Sequence, residues 1–398
     1  MLSKRILNLE ESATLAMTAK SAALKQEGKS VINLSIGEPD FDTPEFIKQE
    51  AIKAINDNFT HYTPVPGILE LRKAICKKLL RDNGVEYQPS QIVVSTGAKQ
   101  AIANVLLSLV DPGDEVVIAS PYWVSYSELV KLAEGKAVLI NAGIEHDFKI
   151  TAQQLEKAIT PKTKLIMLNS PCNPTGSVYT KDELEALAKV VEKNEHVYVL
   201  SDEIYEHIIF KGKHECFAQF QNIKERVIVI NGVSKGFAMT GWRLGFSASS
   251  LPIAKACDKL QGQITSNTNS IAQKASVVAF ERDPADIPEL KIMVEKFHER
   301  RDLLLDLLKG VPGVKTNIPN GAFYIFADFT YYFGKSDGEK VIKNDEDLCM
   351  YILEKTYVAL VPGSAFGDGN CIRFSYATSN ENLIEAISRI KTLLAKLK

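Results

Sequence analysis

The chain has 398 residues, 45% of them apolar and 24% charged, with a formal net charge of −2. That balance fits a globular protein of two domains and lacks the basic excess of a nucleic-acid surface. No apolar run is long enough to span a bilayer, and the opening MLSKRILNLEESATLAM has no signal-peptide core, so no membrane role and a cytoplasmic location are expected.

In chain order, the N-terminal arm carries EESATLAM, SIGEPDFDTP and HYTPVPG. The last has two prolines and a glycine ahead of the helical pattern ILELRKAICKKLL, and reads as a stiff loop projecting Tyr62 outward. From about Gln91 short β-rich runs alternate with helical patterns, which predicts a mostly parallel sheet covered by helices. The runs are QIVVS (91–95), EVVIA (115–119), KAVLI (136–140), KLIMLN (164–169), VYVLS (197–201) and RVIVI (226–230). Between the fourth and fifth, TKDELEALAKVVEKNEH predicts a helix capped by Thr180, boxed by Glu183, with Leu184, Leu187, Ala188 and Val191 on its apolar face. The pattern then changes. Asp286 to Lys309 reads as one long helix, followed by strand-like GAFYIFAD and CIRFSYA. The chain closes on the amphipathic ENLIEAISRIKTLLAKLK, with Leu383, Ile387, Ile390 and Leu394 at helical spacing. The expected fold class is α/β: a large domain over 45–285, and a smaller α+β domain made of 1–44 and 286–398.

Polar residues cluster behind the strand candidates. TGAKQ follows the first, SPYW the second, SPCNPTG the fourth, DEIYEH the fifth and NGVSK the sixth. Ligands of open parallel sheets bind outside the carboxyl ends of the strands, so these segments are expected to converge on one site. Gly97 opens a helix with Ile102, Val105, Leu106 and Leu109 on one face, and free amides there suit a phosphate. Ser234 and Arg243 can add a hydroxyl and a guanidinium fork. Trp123 supplies an aromatic plate, and Asn173 an amide. Asp202, with Tyr205 just after it, supplies a carboxylate at the end of an apolar strand. Alone, each of these is an ordinary turn, cap or core residue. Lys235 is different, because it directly follows VIVINGVS and is drawn out of water. A desolvated lysine beside Arg243 has a lowered pKa and can act as a nucleophile. Lysine, phosphate cradle, buried aspartate and aromatic plate are the parts of a pyridoxal 5'-phosphate site. The six cysteines contain no C-x-x-C pair and the six histidines no H-x-x-x-H pattern, so metal is expected to have no role.

SIGEPDFDTP, HYTPVPG, TGAKQA, SPYW, SPCNPTG, SDEIYEH and SKGFAMTGWRLG, in this order along the chain, closely resemble the class I pyridoxal-phosphate aminotransferases. The likeness runs essentially end to end, and within the family it is nearest the bacterial-type aspartate aminotransferases, some of which also transaminate prephenate. The resemblance implies a fold type I transferase that works as a homodimer on amino acids and 2-oxo acids. It implies that Lys235 attaches the cofactor covalently and shuttles the proton, and that Asp202 pairs with the pyridine nitrogen. Tyr205 and Asn173 would hydrogen-bond the ring hydroxyl, and Trp123 would stack on the ring. The backbone of Gly97 and Ala98, with Ser234 and Arg243, would hold the phosphate, and Tyr62 would reach in from the partner subunit. Arg373 would clamp the substrate α-carboxylate, with a backbone contact from Gly37.

At ~3 Å and an effective dielectric of ~20, Asp202 would attract a pyridinium proton by about 5 kcal/mol, or around four pKa units before desolvation is subtracted. A dicarboxylate substrate needs a second cation. GQITSNTNSIAQKA offers hydroxyls and amides but no arginine, so Lys99 is the expected partner of the distal carboxylate, with Thr14 closing over it. The expected reaction is transamination between L-aspartate and 2-oxoglutarate, and in this subgroup also conversion of prephenate to arogenate. The rivals are an aminotransferase for aromatic or other amino acids, and a pyridoxal-phosphate lyase on the same fold.

Overall fold

A computed structural model describes residues 2–398. Its centre is a seven-stranded sheet: β1 Ile92–Ser95, β2 Glu115–Ser120, β3 Lys136–Asn141, β4 Thr163–Asn169, β5 Tyr198–Asp202, β6 Val227–Gly232 and β7 Gly245–Ala248. The order across the sheet is β1-β7-β6-β5-β4-β2-β3. All six expected runs are strands, four of them extended at the carboxyl end by polar or glycine residues that the apolar pattern had left outside. Asp202 is one of these: it is the last residue of β5, opposite Asn169 of β4 and Ile230 of β6.

The sheet departs from the expected pattern at β7, which runs antiparallel between β1 and β6. Its residues, GFSA, are small and lack a β-branched run, but both neighbours hold them in a fully buried register. Gly245 meets Ser95 on one side and Gly232 on the other. A Cβ on Gly245 would lie 2.3 Å from the Ala98 amide nitrogen, so only glycine lets β7 pass under the start of the next helix. The carboxyl ends of β1 and β6 are thereby pinned together.

The covering helices follow their sequence signals. Thr180 accepts from the Glu183 amide, Glu183 accepts from the Thr180 amide, and Leu184, Leu187, Ala188 and Val191 are buried in the helix Lys181–Lys193. The helix Ala98–Leu109 starts at Gly97 (φ +83°) and buries Ile102, Val105 and Leu106, with Leu109 half-buried. The long helix starts later than the pattern suggested, at Pro288, and runs to Lys309. Asp283 caps a separate short turn, Pro284–Asp286, and proline then takes the first helical position, where its missing N–H is harmless.

A second sheet has three antiparallel strands, with β10 Cys371–Ser375 between β9 Val361–Pro362 and β8 Tyr324–Asp328. The N-terminal arm is tied to this part of the chain, since Ile32–Asn33 pairs in parallel with Val358–Ala359. The C-terminal helix Asn380–Leu394 buries Leu383, Ile387, Ile390 and Leu394, as its spacing predicts.

Candidate active site

The segments behind the strands do converge. One cleft of about 440 Å³ is lined by Ala98 and Lys99 after β1, and by Trp123, Val124 and Ser125 after β2. Asn169 and Asn173 line it from β4 and its loop, Asp202 and Tyr205 from β5, and Ser234 and Lys235 from the turn after β6. Arg243 enters just before β7. The opposite wall comes from the rest of the chain, through Ser12, Thr14, Gly37, Glu38, Tyr324 and Arg373. Of the residues singled out from sequence, Gly97 borders the cleft through its contact with Arg243. Tyr62 does not reach it and stands 92% exposed elsewhere on the surface.

Lys235 projects a half-buried amine into this cleft and donates to the Gly37 carbonyl at 2.6 Å. Loss of hydration pulls its pKa down to about 8, and the cations Arg373 and Arg243 act in the same direction while Glu38 opposes them. Thr240 donates to Glu38, tying the Gly37 loop to the Lys235 loop. Asp202 is buried, and burial pushes its carboxyl up to about 6 against the hydrogen bonds that favour the anion. Those bonds come from the Tyr126 phenol to Oδ2 at 2.6 Å and the Ile204 amide to Oδ1 at 3.3 Å. Asn169 donates to the Asp202 backbone carbonyl at 2.9 Å and accepts from the Asn173 amide at 2.8 Å, so β4, β5 and the NPTG loop form one braced unit.

The anion cradle is geometric. Gly97 lies so close to Arg243 that a Cβ there would sit 2.5 Å from Nη2. Arg243 adopts a left-handed backbone (φ +52°) and donates from Nη1 to the Thr240 carbonyl at 2.9 Å. Ala98 and Lys99 open their helix, and first-turn amides have no carbonyl one turn back to bind.

Arg373, on β10, is 1% exposed. Its Nη1 donates to Asn173 Oδ1 at 3.0 Å and its Nη2 to the Ser35 carbonyl at 2.5 Å, while Nε has no partner among the described residues. The guanidinium lies 4.7 Å from the Tyr324 ring centroid and 4.8 Å from that of Phe366. A buried cation held from two sides, with no carboxylate of its own, is built to receive one. Tyr205 places its hydroxyl 2.9 Å from that of Tyr324. The Lys99 ammonium stands 4.9 Å over the Trp123 ring, and burial, with Arg243 nearby, lowers its pKa. Thr14 lies within the first turn of the helix Ala13–Gln26, whose N-cap is Ser12, so its hydroxyl is not a cap.

Tyr126, Asn169, Glu38 and Tyr324 belong to this constellation, yet sequence reading did not single them out. Asn169 ends the KLIMLN run and the strand β4, and that last position is the sequence signal for it. Tyr126 follows Trp123 by one helical turn in SPYWVSY, a weaker cue.

The fold and site together define a class. The sequence profile of the family described as aminotransferase class I and II matches residues 29–390, and this chain belongs to that family. It is 46% identical over 400 residues to the aspartate/prephenate aminotransferase of Nitrosomonas europaea, covering 99% of this chain and 100% of that one. It is 47% identical to the bifunctional aspartate aminotransferase and glutamate/aspartate-prephenate aminotransferase of Petunia hybrida, covering 100% of this chain and 83% of the other. The solved aspartate aminotransferase of Rhizobium meliloti superposes with a TM-score of 0.96 at 44% identity, covering both chains fully (100%). That of Thermus thermophilus with maleate gives 0.92 at 39% identity over 99% of each chain. The chain is therefore an aminotransferase of fold type I.

Proposed function

We propose that this aminotransferase moves the amino group of L-aspartate to 2-oxoglutarate, giving oxaloacetate and L-glutamate, and that it also converts prephenate to arogenate. The observation that carries the reading is the pairing of two cations in one cleft. Arg373 and Lys99 both line it, and the Lys235 amine lies in the same cleft. A substrate with an α-amino group and two carboxylates matches that set. The names of the Nitrosomonas and Petunia relatives, and the dicarboxylate maleate bound to the Thermus enzyme, support the same substrate class.

The residues fit pyridoxal 5'-phosphate. Gly97 and Gly245 let the Arg243 fork and β7 pack directly against the helix start, which gathers the Arg243 fork, the Ser234 hydroxyl and the amides of Ala98 and Lys99 in a way that suits a phosphate. Asp202 offers an anion for a ring nitrogen, Trp123 a face to stack on, and Tyr205 and Asn173 donors for a ring hydroxyl. When bound, this cofactor supplies a carbonyl that captures the amine and a ring that accepts electrons from the substrate α-carbon. Lys235 would hold the cofactor, and its freed Nζ would take the substrate α-proton and deliver it to what had been the cofactor's carbonyl carbon, not back to the α-carbon. The Gly37 carbonyl is placed to steady the freed amine between those steps. Arg373 holds the α-carboxylate and fixes which face of the α-carbon Lys235 meets. Lys99, with the Thr14 hydroxyl, holds the distal carboxylate.

The division into a large domain, 45–285, and a small domain, 1–44 with 286–398, is supported by the pairing of Ile32–Asn33 with Val358–Ala359. The exposed ring of Tyr62 supports a homodimer in which it completes the partner's phosphate site. Among the described residues no helix is long and apolar enough to cross a membrane, in keeping with a cytoplasmic enzyme. A panel of amino donors and 2-oxo acids tests the function. Aspartate with 2-oxoglutarate should turn over best, with the carbon skeleton retained. Loss of the substrate side chain, or a preference for aromatic donors with aspartate inert, would contradict it.

A further inference from the structure

We propose that Tyr126 is a positioning residue for the reaction: its phenol orients and holds the negative charge of the Asp202 carboxylate, so that the cofactor nitrogen meets a fixed anion. The proposal rests on the role of Asp202 given above. Tyr126 itself does not line the cleft; it stands behind Asp202, on the helix Ser125–Leu132 that follows β2.

Tyr126 is 1% exposed, and among the described residues the only hydrogen-bond partner of its phenol is Asp202 Oδ2, at 2.6 Å. That length is in the range of a hydroxyl bound to an ionised carboxylate. The ring cannot easily swing away, since it packs in the core formed by the sheet and the helix Ala98–Leu109 and meets the Trp123 ring edge-on at 5.5 Å and 87°. The same packing links the phenol to the face on which the cofactor ring would stack. Among the described residues the only other hydrogen bond to the carboxylate is the long one from Ile204 to Oδ1, so Tyr126 is its strong donor. Without it, a buried carboxylate already pushed up to about 6 would rise further and hold less charge at neutral pH. The other titratable groups facing this pair are Glu203 beside Asp202, Cys172 and Tyr205, with Lys235 in the same cleft. Of these, Lys235 alone favours the carboxylate anion.

A double-mutant cycle on affinity for pyridoxal phosphate, measured by titrating the apoprotein, tests this without relying on turnover. Tyr126→Phe keeps the ring and removes one hydroxyl. It should weaken cofactor binding and lower kcat by about 10- to 100-fold, the scale of a lost hydrogen bond to a charged group. In an Asp202→Asn background the same change should cost less than about 3-fold, because the charge it serves is gone. Equal losses in both backgrounds, or none in the native one, overturn the proposal. If Asp202→Asn alone leaves affinity and turnover unchanged, the role of Asp202 fails and this proposal with it. Should Tyr126→Phe not fold, 3-fluorotyrosine at the position gives a stronger donor in the same shape. It should tighten cofactor binding in the native background, and no change or a weakening overturns the proposal.

Discussion

Replacing Lys99 by methionine separates recognition of the distal carboxylate from recognition of the cofactor. The Lys99 ammonium forms no ion pair among the described residues, and its neighbours are the Trp123 face at 4.9 Å and the like charge of Arg243. An incoming carboxylate would thus be its main counter-charge. At ~3 Å and an effective dielectric of ~20 the attraction is about 5 kcal/mol, and desolvating both groups offsets part of it. A net 2–4 kcal/mol remains, so Lys99→Met should lower kcat/KM for aspartate and glutamate by about 30- to 900-fold. Most of this should appear in KM. Phenylalanine has no distal charge and should lose only a few-fold. Steady-state assays with the three donors at saturating cofactor give the comparison. An equal loss for all three would refute the reasoning and assign Lys99 to the cofactor.

Asp202→Ala should cut kcat by at least about 100-fold, on the order of 3 kcal/mol in the barrier, and a near-normal rate would remove the electron-sink argument. Arg373→Gln should, unlike Lys99→Met, weaken aspartate and phenylalanine alike, because every amino acid carries the α-carboxylate; selective loss for aspartate would reverse the two assignments. In apoenzyme the neutral form of Lys235 is the nucleophile, and burial lowers its pKa from 10.5 to about 8. Cofactor attachment should therefore quicken as pH rises and level off above about pH 8, whereas an unshifted lysine would keep gaining towards pH 10. Mixing Tyr62→Phe subunits with Lys235→Ala subunits should restore activity above either parent, since some hybrid dimers contain one native site, and an active monomer in sedimentation would end the homodimer reading.

What could be read from the chain depended on how local its cause was. Most of the strands were legible because runs such as VVIA, LIML and VIVI are buried on both faces and therefore continuously apolar, while the edge run KAVLI, largely open to solvent, was legible from its β-branched and aliphatic residues alone. The convergence behind them followed from topology. β7 was not legible, because GFSA becomes a strand only through the two neighbours that clasp it. The long helix lost its first residues to Pro288, a local signal that the apolar periodicity overrode. Within the site, Asp202 and Lys235 stood out because charge directly after an apolar strand has a price in hydration. Tyr126 did not, since its partner is chosen by how the helix after β2 packs against β5. The destination of Tyr62 lies outside a single chain.

The central claim is that Lys235 carries the cofactor, and trapping that bond tests it most directly. Purified protein loaded with pyridoxal phosphate is reduced with borohydride, digested, and the modified peptide sequenced by mass spectrometry. The account predicts a single label on Lys235, in the peptide containing NGVSKGFAMTGWR. A label on Lys99 or any other lysine, or none at all in a protein that transaminates, would contradict it.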